Sequence, residues 1–314
     1  MKNVNLIKWS VVMNTFFSRV ICLFLILGML PTIGLAREGR GNVNIIHIEP
    51  SVYRQLMVVE STSTRCVEFT HYSGSHSCDY LDRDDYLVFD YVQAVFLAFA
   101  FLEDPQRVLI IGLGGGTIPS VMRRIYPGLS IDIAELDPAM LKVAEQFFDF
   151  AEEDHVRVHI GDGRQFVKRA ALENRQYDLV ILDAFEEEYT PPHMTTREFL
   201  SEVSSILTKQ GVFVSHKYSG QSLYDHEAVT YETVFGEFYH LNLDSGSKLI
   251  FSVNGKYPDR DKILQGSMPL IRKFQAFHIS LDDYIGELSK QQDWDGAARV
   301  LTDQYAPVNV LRSE

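Results

Sequence analysis

The chain has 314 residues, of which 46% are hydrophobic and 23% are charged, with 20 Gly and 11 Pro. This composition is typical of a globular protein and excludes a disordered, collagenous or disulfide-scaffold chain. Acidic residues outnumber basic ones by 42 to 29, so the formal net charge is −13. Because such a charge repels phosphate backbones, we expect no nucleic-acid partner, whereas a cationic substrate would be attracted.

Residues 1–36 contain basic residues but no acidic one, and they include an apolar stretch from Val20 to Leu35. The small residues Gly34 and Ala36 precede Arg37 at the spacing of a signal-peptidase site. This pattern predicts a signal peptide and a periplasmic protein. Two alternatives stay open: an uncleaved anchor in the inner membrane, and a misassigned start codon, with Met29 as the true start, that would leave the protein cytoplasmic.

Cys66 and Cys78 flank a turn-rich stretch between two strand-like runs, while the third cysteine, Cys22, lies in the predicted leader. A hairpin centred near Tyr72 would place Cys66 and Cys78 opposite each other, close enough for a disulfide. The alternative is two small apolar residues without a bond, as is usual in a reducing compartment. Export would favour the disulfide.

Residues 42–92 alternate short β-rich runs with turn residues, which predicts a small N-terminal antiparallel β-subdomain with no convincing helix. The runs are NIIHI, RQLMVV, RCVEFT and YLVFDY.

Residues 93–314 alternate strands and helices, which predicts an α/β fold with a doubly wound, mostly parallel, Rossmann-like sheet. Strands are expected at 107–113, 130–136, 156–160, 177–185 and 211–218, and helices from 117, at 138–148 and at 196–207. A closing hairpin is expected from the segments 238–243 and 248–254. The remaining residues mix helical patches with an irregular tail that we expect to pack on the sheet. Thr195 is the expected cap of the helix at 196–207, with Glu198 reaching back to it.

The strand Val108–Ile111 leads into GLGGGT and then a helix, so its glycines are candidate ligand contacts. They are Gly112, Gly114, Gly115 and Gly116. A tight turn beneath a helix is the alternative. Glu135 ends the next strand, 23 residues after Gly112, where a carboxylate can accept hydrogen bonds from ribose hydroxyls. Asp137 is the better cap for the following helix, which leaves Glu135 for the sugar.

The third and fourth strands also end in acids. Asp162 stands between Gly161 and Gly163 and is placed to accept from the exocyclic amine of a base, unless it only forms an Asx turn. Asp183 ends the fourth strand at the edge where open parallel sheets bind ligands. Glu187 and Glu188 are expected to form a solvated face. His193 is expected to be a loop residue, and no metal is predicted because no partner stands at metal-binding spacing.

The succession VLIIGLGGGT, AELDP, GDGRQF and YDLVILDAF resembles the nucleoside-binding half of the spermidine synthase (polyamine aminopropyltransferase) family, within the S-adenosylmethionine-dependent methyltransferase fold. The resemblance covers residues 50–255. It implies that Glu135 holds the ribose, Asp162 the adenine amine, and the glycine loop the sulfur-bearing part of decarboxylated S-adenosylmethionine. Asp183 matches the first acid of the family's Asp-x-x-Asp motif, which takes the proton from the attacking amine, and Glu186 stands at the second.

Three positions depart from the family pattern. Gly115 replaces an Asp that helps to hold the aminopropyl group, and Asn242–Gly246 replaces a Tyr-Pro-x-Gly segment over the amine pocket. The family's Tyr-Gln pair is loosened to Tyr91 and Gln93, which are the expected substrate-binding residues. Nucleoside binding is therefore better supported than polyamine specificity.

The leading hypothesis is an aminopropyltransferase that uses decarboxylated S-adenosylmethionine and a small-molecule amine. One alternative is a methyltransferase using intact S-adenosylmethionine. It would hold the cofactor's carboxylate near the glycine loop, where Gly115 in place of an Asp removes a repulsive charge. The other is a non-catalytic nucleoside-binding envelope protein, which export favours because the sulfonium donors are made in the cytoplasm. The resemblance also implies a homodimer.

Overall fold

The computed structural model describes residues 43–307 apart from four short segments, 71–73, 84–85, 186–188 and 219–220. The predicted leader, Cys22 and Glu186 therefore lie outside the described residues. Within the part of the chain that is described, no helix has both the length and the apolar character needed to cross a membrane.

The N-terminal residues form a four-stranded antiparallel sheet, which confirms the predicted β-subdomain. Its strands, in the order β1-β2-β3-β4, are β1 Asn44–Glu49, β2 Leu56–Glu60, β3 Thr64–Phe69 and β4 Ser75–Tyr80. Leu56, Val58 and Val67 are fully buried on one face of this sheet. They pack against Met140 and Val143, so this face is covered by the larger part of the molecule.

The fourth strand is not the run YLVFDY, and that prediction is wrong. Leu87 in this run makes a single bridge to Asp79, and helix α1 (Asp90–Val95) begins inside the run. The polar segment SHSCDY forms β4 instead, although it contains no β-branched residue. Pairing with β3 decides its conformation, because strand propensity is weaker than a fixed cross-strand register.

Cys66 and Cys78 lie directly opposite each other in the register of β3 and β4. Both are buried beside Val59, and the structure joins them by a disulfide. The predicted hairpin geometry is therefore present. The bond in the cell stays a prediction, because it depends on the compartment.

A seven-stranded, mostly parallel sheet forms the centre of the molecule and confirms the predicted fold class. Its order is β10-β11-β9-β8-β5-β6-β7, and β11 runs antiparallel to its neighbours β10 and β9, whereas the other pairs are parallel. The strands are β5 Arg107–Ile111, β6 Ser130–Glu135, β7 Val156–Ile160, β8 Tyr177–Leu182, β9 Leu207–Tyr218, β10 Tyr239–Asn242 and β11 Ser247–Val253. The chain changes direction across the sheet between β5 and β8, which is where such sheets bind ligands.

Strand β5 shows why the central strands are so apolar. Val108 and Ile110 face one layer of helices, and Leu109 and Ile111 face the other. All four are at most 1% exposed. A strand that is buried on both faces must be a continuous apolar run, which is the pattern that predicted it.

Helices cover both faces of the large sheet. Besides α1 they are α2 Thr117–Ile125, α3 Pro138–Phe147, α4 Gly163–Leu172, α5 Arg197–Ile206, α6 Gln221–Phe235, α7 Arg260–Gln275 and α8 Leu281–Glu287. Helix α5 is capped by Thr196, which accepts from the Phe199 N–H at 3.3 Å. The predicted cap, Thr195, instead donates to the Pro192 carbonyl, and Glu198 accepts from the Asp303 N–H rather than reaching back.

The residues before the predicted tail reach the sheet, since Ser289 pairs with His240 on the edge strand β10. The tail itself, from Val300 onward, was predicted to pack on the sheet, and its described part contacts helices instead. It lies on α5 and α6, where the Arg197 N–H donates to the Leu301 carbonyl and Leu301 packs against Leu223. The segment from Ser289 into the described part of the tail therefore joins the edge strand to two helices.

Candidate active site

The loop between β5 and α2 passes close beneath the end of β8. Gly112 has a φ of +103°, and a Cβ atom there would lie 2.2 Å from the Asp183 carbonyl oxygen. Both the backbone conformation and this contact require glycine. The loop can therefore approach the strand end that carries Asp183, and Gly112 and Gly114 line the cavity at this edge.

Gly115 and Gly116 lie outside the cavity lining, and their predicted contact with the cofactor stays a prediction. A Cβ atom at Gly115 would lie 2.9 Å from the Ser77 hydroxyl oxygen and 3.0 Å from a ring carbon of Phe148. At Gly116 it would lie 2.5 Å from the ring of Phe150. These two glycines therefore support the loop by close packing.

Glu135 ends β6 and lines the cavity. Its two carboxylate oxygens accept from the backbone N–H groups of Leu113 and Asp137, each at 2.8 Å. Burial raises the pKa of the Glu135 carboxyl, and these two N–H donors oppose that shift. A carboxylate has about four lone-pair sites, so Glu135 can also accept from a ligand hydroxyl. Asp137 caps α3 through the Ala139 N–H, as predicted.

Asp162 caps α4 and has a different partner on each carboxylate oxygen. Oδ1 accepts from the Gln165 N–H at 2.9 Å, and Oδ2 lies 2.8 Å from His193 Nε2. The bond to Gln165 is a helix N-cap rather than the Asx turn given as the alternative to base recognition, and Asp162 and Gly163 both line the cavity. His193, expected to be an ordinary loop residue, lines it as well.

Asp183 follows β8, and both of its carboxylate oxygens have partners. Oδ1 lies 3.0 Å from His216 Nδ1, and the Tyr91 hydroxyl donates to Oδ2 at 3.4 Å. The rings of Tyr91 and His216 are stacked, with centroids 3.8 Å apart and planes 14° apart. His216 Nε2 lies 3.1 Å from the Ser247 hydroxyl oxygen. These four residues form one connected group, which we call the Asp183 cluster.

His216 and Ser247 were not selected from the sequence. His216 lies near the carboxyl end of β9, at the same sheet edge as the three predicted acids. Polar side chains at the carboxyl ends of parallel strands are candidate ligand contacts, and His216 meets this criterion as the three acids do. Ser247 begins the antiparallel strand β11, and no sequence signal marks it.

Gln93 lies on α1 outside the cavity lining, and its predicted contact with substrate stays a prediction. Its side chain donates to the Leu87 carbonyl at 3.1 Å and accepts from the Tyr284 hydroxyl at 3.3 Å. Residues two apart on a helix do not share a face, so Tyr91 lines the cavity without Gln93. Glu186 lies outside the described residues and stays a prediction.

The cavity has a volume of about 590 Å³ and lies between the four-stranded sheet and the carboxyl edge of the large sheet. Among its described lining residues, Arg54 supplies a guanidinium, and carboxylates come from Asp90, Glu135, Asp137, Asp162 and Asp183. This excess of negative charge favours a cationic ligand. Burial, together with the charge of Arg54, lowers the pKa of His76 to about 4, so His76 adds no positive charge at neutral pH.

Residues 94–242 match the family model of the spermine/spermidine synthase domain. A polyamine aminopropyltransferase from Vibrio vulnificus (strain CMCP6) is 40% identical to this chain over 277 residues. The match covers 87% of this chain and 93% of the relative.

Two solved structures resemble the fold. A probable spermidine synthase from Corynebacterium glutamicum has a TM-score of 0.63 at 16% identity and covers 83% of this chain and 97% of that one. Human methyltransferase-like protein 13, in complex with SAH, has a TM-score of 0.52 at 26% identity, covering 71% and 100%. The first likeness concerns the fold alone. Because the Vibrio relative is 40% identical and matches 87% of this chain and 93% of its own length, the chain belongs to the polyamine aminopropyltransferase (spermine/spermidine synthase) family.

Proposed function

We propose that this protein is an aminopropyltransferase, which moves the aminopropyl group of decarboxylated S-adenosylmethionine onto a small-molecule amine. The observation that carries the proposal is the position of Asp183. Its carboxylate lines the same cavity as Glu135 and Asp162, next to the close approach of the glycine loop. The name of the Vibrio relative, a polyamine aminopropyltransferase, supports the same activity.

On the donor side, the carboxyl ends of β6 and β7 supply the nucleoside contacts. Glu135 accepts hydrogen bonds from the ribose hydroxyls, using the lone pairs that its backbone partners leave. Asp162 accepts from the adenine amine. Gly112 and Gly114 let the sulfur-bearing part of the donor lie against the loop backbone.

On the acceptor side, a protonated amine cannot attack carbon because its lone pair is occupied. The Asp183 carboxylate binds the ammonium and removes one proton as a general base. The freed nitrogen lone pair then attacks the propyl carbon bonded to the sulfonium. The carbon–sulfur bond breaks, its electron pair returns to sulfur, and methylthioadenosine leaves. Tyr91 contacts the amine beside Asp183, and Glu186 assists as the second acid.

The test is product analysis with the purified full chain, decarboxylated S-adenosylmethionine and a series of linear diamines and polyamines. Mass spectrometry should detect methylthioadenosine and an aminopropylated amine in equal amounts. We expect Asp183→Asn to lower turnover by about 10² or more, with nucleoside affinity unchanged within a few-fold. Asp154→Asn, at an exposed aspartate outside the site, serves as the matched control. An unchanged rate in Asp183→Asn would exclude it as the base.

A methyltransferase that uses intact S-adenosylmethionine is the second candidate. Gly115 places no acid in the glycine loop, so the carboxylate of intact S-adenosylmethionine meets no added negative charge there. The SAH complex of human methyltransferase-like protein 13 has a similar fold. Formation of SAH from intact S-adenosylmethionine would favour this candidate. If neither sulfonium compound bound at millimolar concentration in isothermal titration, a non-catalytic nucleoside-binding protein would be favoured.

A further inference from the structure

We infer that His216 is a positioning residue for Asp183, which fixes the carboxylate so that one oxygen, Oδ2, receives the proton of the amine. This inference rests on the proposed function, since it concerns the base of that reaction. It adds His216 and Ser247 to Asp183 as a hydrogen-bonded series with a defined direction.

The direction of these hydrogen bonds follows from which atoms of each group can donate and which can accept. An ionised carboxylate only accepts hydrogen bonds, and a neutral imidazole has one donor and one acceptor nitrogen. His216 Nδ1, 3.0 Å from Asp183 Oδ1, must therefore carry the proton. Nε2 is then the acceptor, and the Ser247 hydroxyl donates to it at 3.1 Å. The series runs from Ser247 to His216 to Asp183.

Burial and ring contacts hold the imidazole in this orientation. His216 is 2% exposed, so water does not compete effectively for its nitrogens. Its face stacks on Tyr91 with centroids 3.8 Å apart, and Phe185 contacts it edge-on at 4.7 Å. Because two rings fix the imidazole plane, the direction of the Nδ1–H bond is fixed as well.

The two oxygens of Asp183 therefore differ. Oδ1 is held by the imidazole N–H, whereas Oδ2 has the Tyr91 hydroxyl at the longer distance of 3.4 Å. A donor on Oδ1 stabilises the ionised carboxylate, which is the form that acts as a base. In the transfer step one proton moves from the amine nitrogen to Oδ2. His216 neither gains nor loses a proton.

The groups that face Asp183 come from three elements: His216 from β9, Tyr91 from α1 and His76 from β4. His76 is neutral above about pH 5, since its pKa is lowered to about 4. The acids at 186–188 lie outside the described residues and are unchanged in every variant below. A change in the pH profile of a His216 variant therefore reports on the Asp183 cluster.

The first experiment needs no turnover. Nitrogen-15 NMR of the full chain labelled at histidine, with His216 assigned from the spectrum of His216→Phe, reads the tautomer directly. We expect the Nδ1–H form at neutral pH and a changed His216 signal in Asp183→Asn. An Nε2–H form would overturn the inference, because Nδ1 could then donate nothing to Asp183.

The second experiment separates positioning from mere packing. His216→Phe keeps a ring for Tyr91 but removes both nitrogens, and we expect a 10- to 100-fold lower kcat, on the order of what positioned acid–base groups contribute. The acidic limb of its kcat profile should move to higher pH, because the lost donor no longer stabilises the Asp183 anion. KM for the donor should not change. His216→Asn, whose amide supplies an N–H, should restore part of the rate.

The outcomes distinguish this inference from the proposed function. If the wild type makes no aminopropylated amine, the proposed function fails and this role fails with it. If the wild type is active but His216→Phe keeps the wild-type rate, only the present inference fails. It also fails if the rate drops while the pH limb stays in place and His216→Asn restores nothing. His155→Phe, at an exposed histidine remote from the Asp183 cluster, controls for the substitution itself.

Discussion

At the scale of single residues, the proposed nucleoside site depends on a carboxylate that already has a structural role. Glu135 is only 8% exposed, and its oxygens hold the N–H groups of Leu113 in the glycine loop and Asp137 at the start of α3. The same oxygens are proposed to hold the ribose. Ribose recognition and the conformation of the glycine loop are therefore coupled through one side chain.

This coupling predicts the effect of Glu135→Gln. The amide group would turn an N–H donor toward a backbone N–H, so one of the two backbone bonds must break and leave a buried donor unsatisfied. We expect affinity for methylthioadenosine to fall by about 100-fold, in line with the ~1–3 kcal/mol cost of a buried unsatisfied group. Isothermal titration measures it. Glu145→Gln, at an exposed position on α3, should bind as the wild type does, and equal affinity in both variants would contradict the role of Glu135.

Part of the site could be predicted at this scale. Glu135, Asp162 and Asp183 were found because acids at the carboxyl ends of parallel strands converge on one edge. The position of Gln93 outside the cavity lining could not be predicted, because spacing alone does not say which face of a short helix meets the cavity. Ser247 could not be predicted, because its contact with His216 depends on the register in which the antiparallel strand β11 pairs with β9.

At the scale of elements, the glycine loop is packed between β4 and the residues that follow α3. Gly115 has Ser77 on one side and Phe148 on the other, so the four-stranded sheet helps to shape the loop. The family's Asp at this position would need both neighbours to move. Glycine at position 115 is therefore what allows β4 and Phe148 to pack this closely against the loop.

Two glycine substitutions test this packing. Gly115→Ala places a methyl group within 3.0 Å of Ser77 and Phe148, whereas Gly128→Ala meets nothing within 4 Å. We expect Gly115→Ala to lower the free energy of unfolding by about 1–3 kcal/mol, as overpacking does. Gly128→Ala should change it little. Urea denaturation followed by circular dichroism gives both values, and equal stability of the two variants would show that the loop has room to spare.

A second contact between elements joins the C-terminal tail to the cavity. Arg164 is 6% exposed and forms paired hydrogen bonds with Glu202 on α5 and Asp303 in the tail. It also donates to the His193 carbonyl, while the His193 ring lies against Asp162. One guanidinium thus connects the tail with the residue proposed to hold adenine.

The Arg164 contact predicts a pH-dependent stability. The Arg164 guanidinium holds the pKa of Asp303 below its ordinary value of 3.8, so the ion pair stabilises the fold above that pH and is lost as pH falls through the lowered pKa. Asp303→Asn should cost about 1 kcal/mol at pH 7, since the carboxylate is partly exposed. The difference from the wild type should shrink below about pH 4. Urea midpoints at pH 7, 5 and 3 measure it, and a difference independent of pH would contradict the ionic origin.

Element types and order were predictable because strands buried on both faces leave continuous apolar runs between helical periods. The predictions of secondary structure are wrong where contacts with neighbouring segments, rather than local propensity, determine the conformation. SHSCDY forms a strand only because β3 pairs with it. The run YLVFDY forms no strand although most of its residues favour one, and its last two residues, Asp90 and Tyr91, begin α1. Thr195 and Thr196 are equally good caps by sequence, and the bond from Thr195 to Pro192 leaves the cap to Thr196.

At the scale of the whole molecule, the order of strands brings acids that are distant in sequence to one edge. The carboxylates in the cavity have the same sign as the net charge of −13, so the field of the whole protein and the site both attract cations. A sulfonium donor and an ammonium acceptor are both cations. The net charge of the protein therefore attracts both proposed substrates from a distance, and the cavity carboxylates attract them at the site.

The predicted leader and the Cys66–Cys78 pair make one joint prediction about this molecule. If the chain is exported, fractionation should find it in the periplasm or inner membrane, and thiol titration of the denatured, unreduced mature protein should find neither cysteine free. Closing the 12-residue separation should then stabilise the fold by roughly 3 kcal/mol, which a reductant would remove. The double variant Cys66→Ala, Cys78→Ala should not respond to reductant.

A cytoplasmic chain that begins at Met29 should instead show both thiols free, because glutathione and thioredoxin keep them reduced. Two titratable thiols in a periplasmic protein would contradict the joint prediction, since export without oxidation removes the reason to expect the bond. The same fractions decide where the reaction takes place. Sulfonium donors are made in the cytoplasm, so an oxidised, exported and active enzyme requires that its donor cross the inner membrane. Methylthioadenosine produced by intact cells from externally supplied decarboxylated S-adenosylmethionine would demonstrate activity outside that membrane.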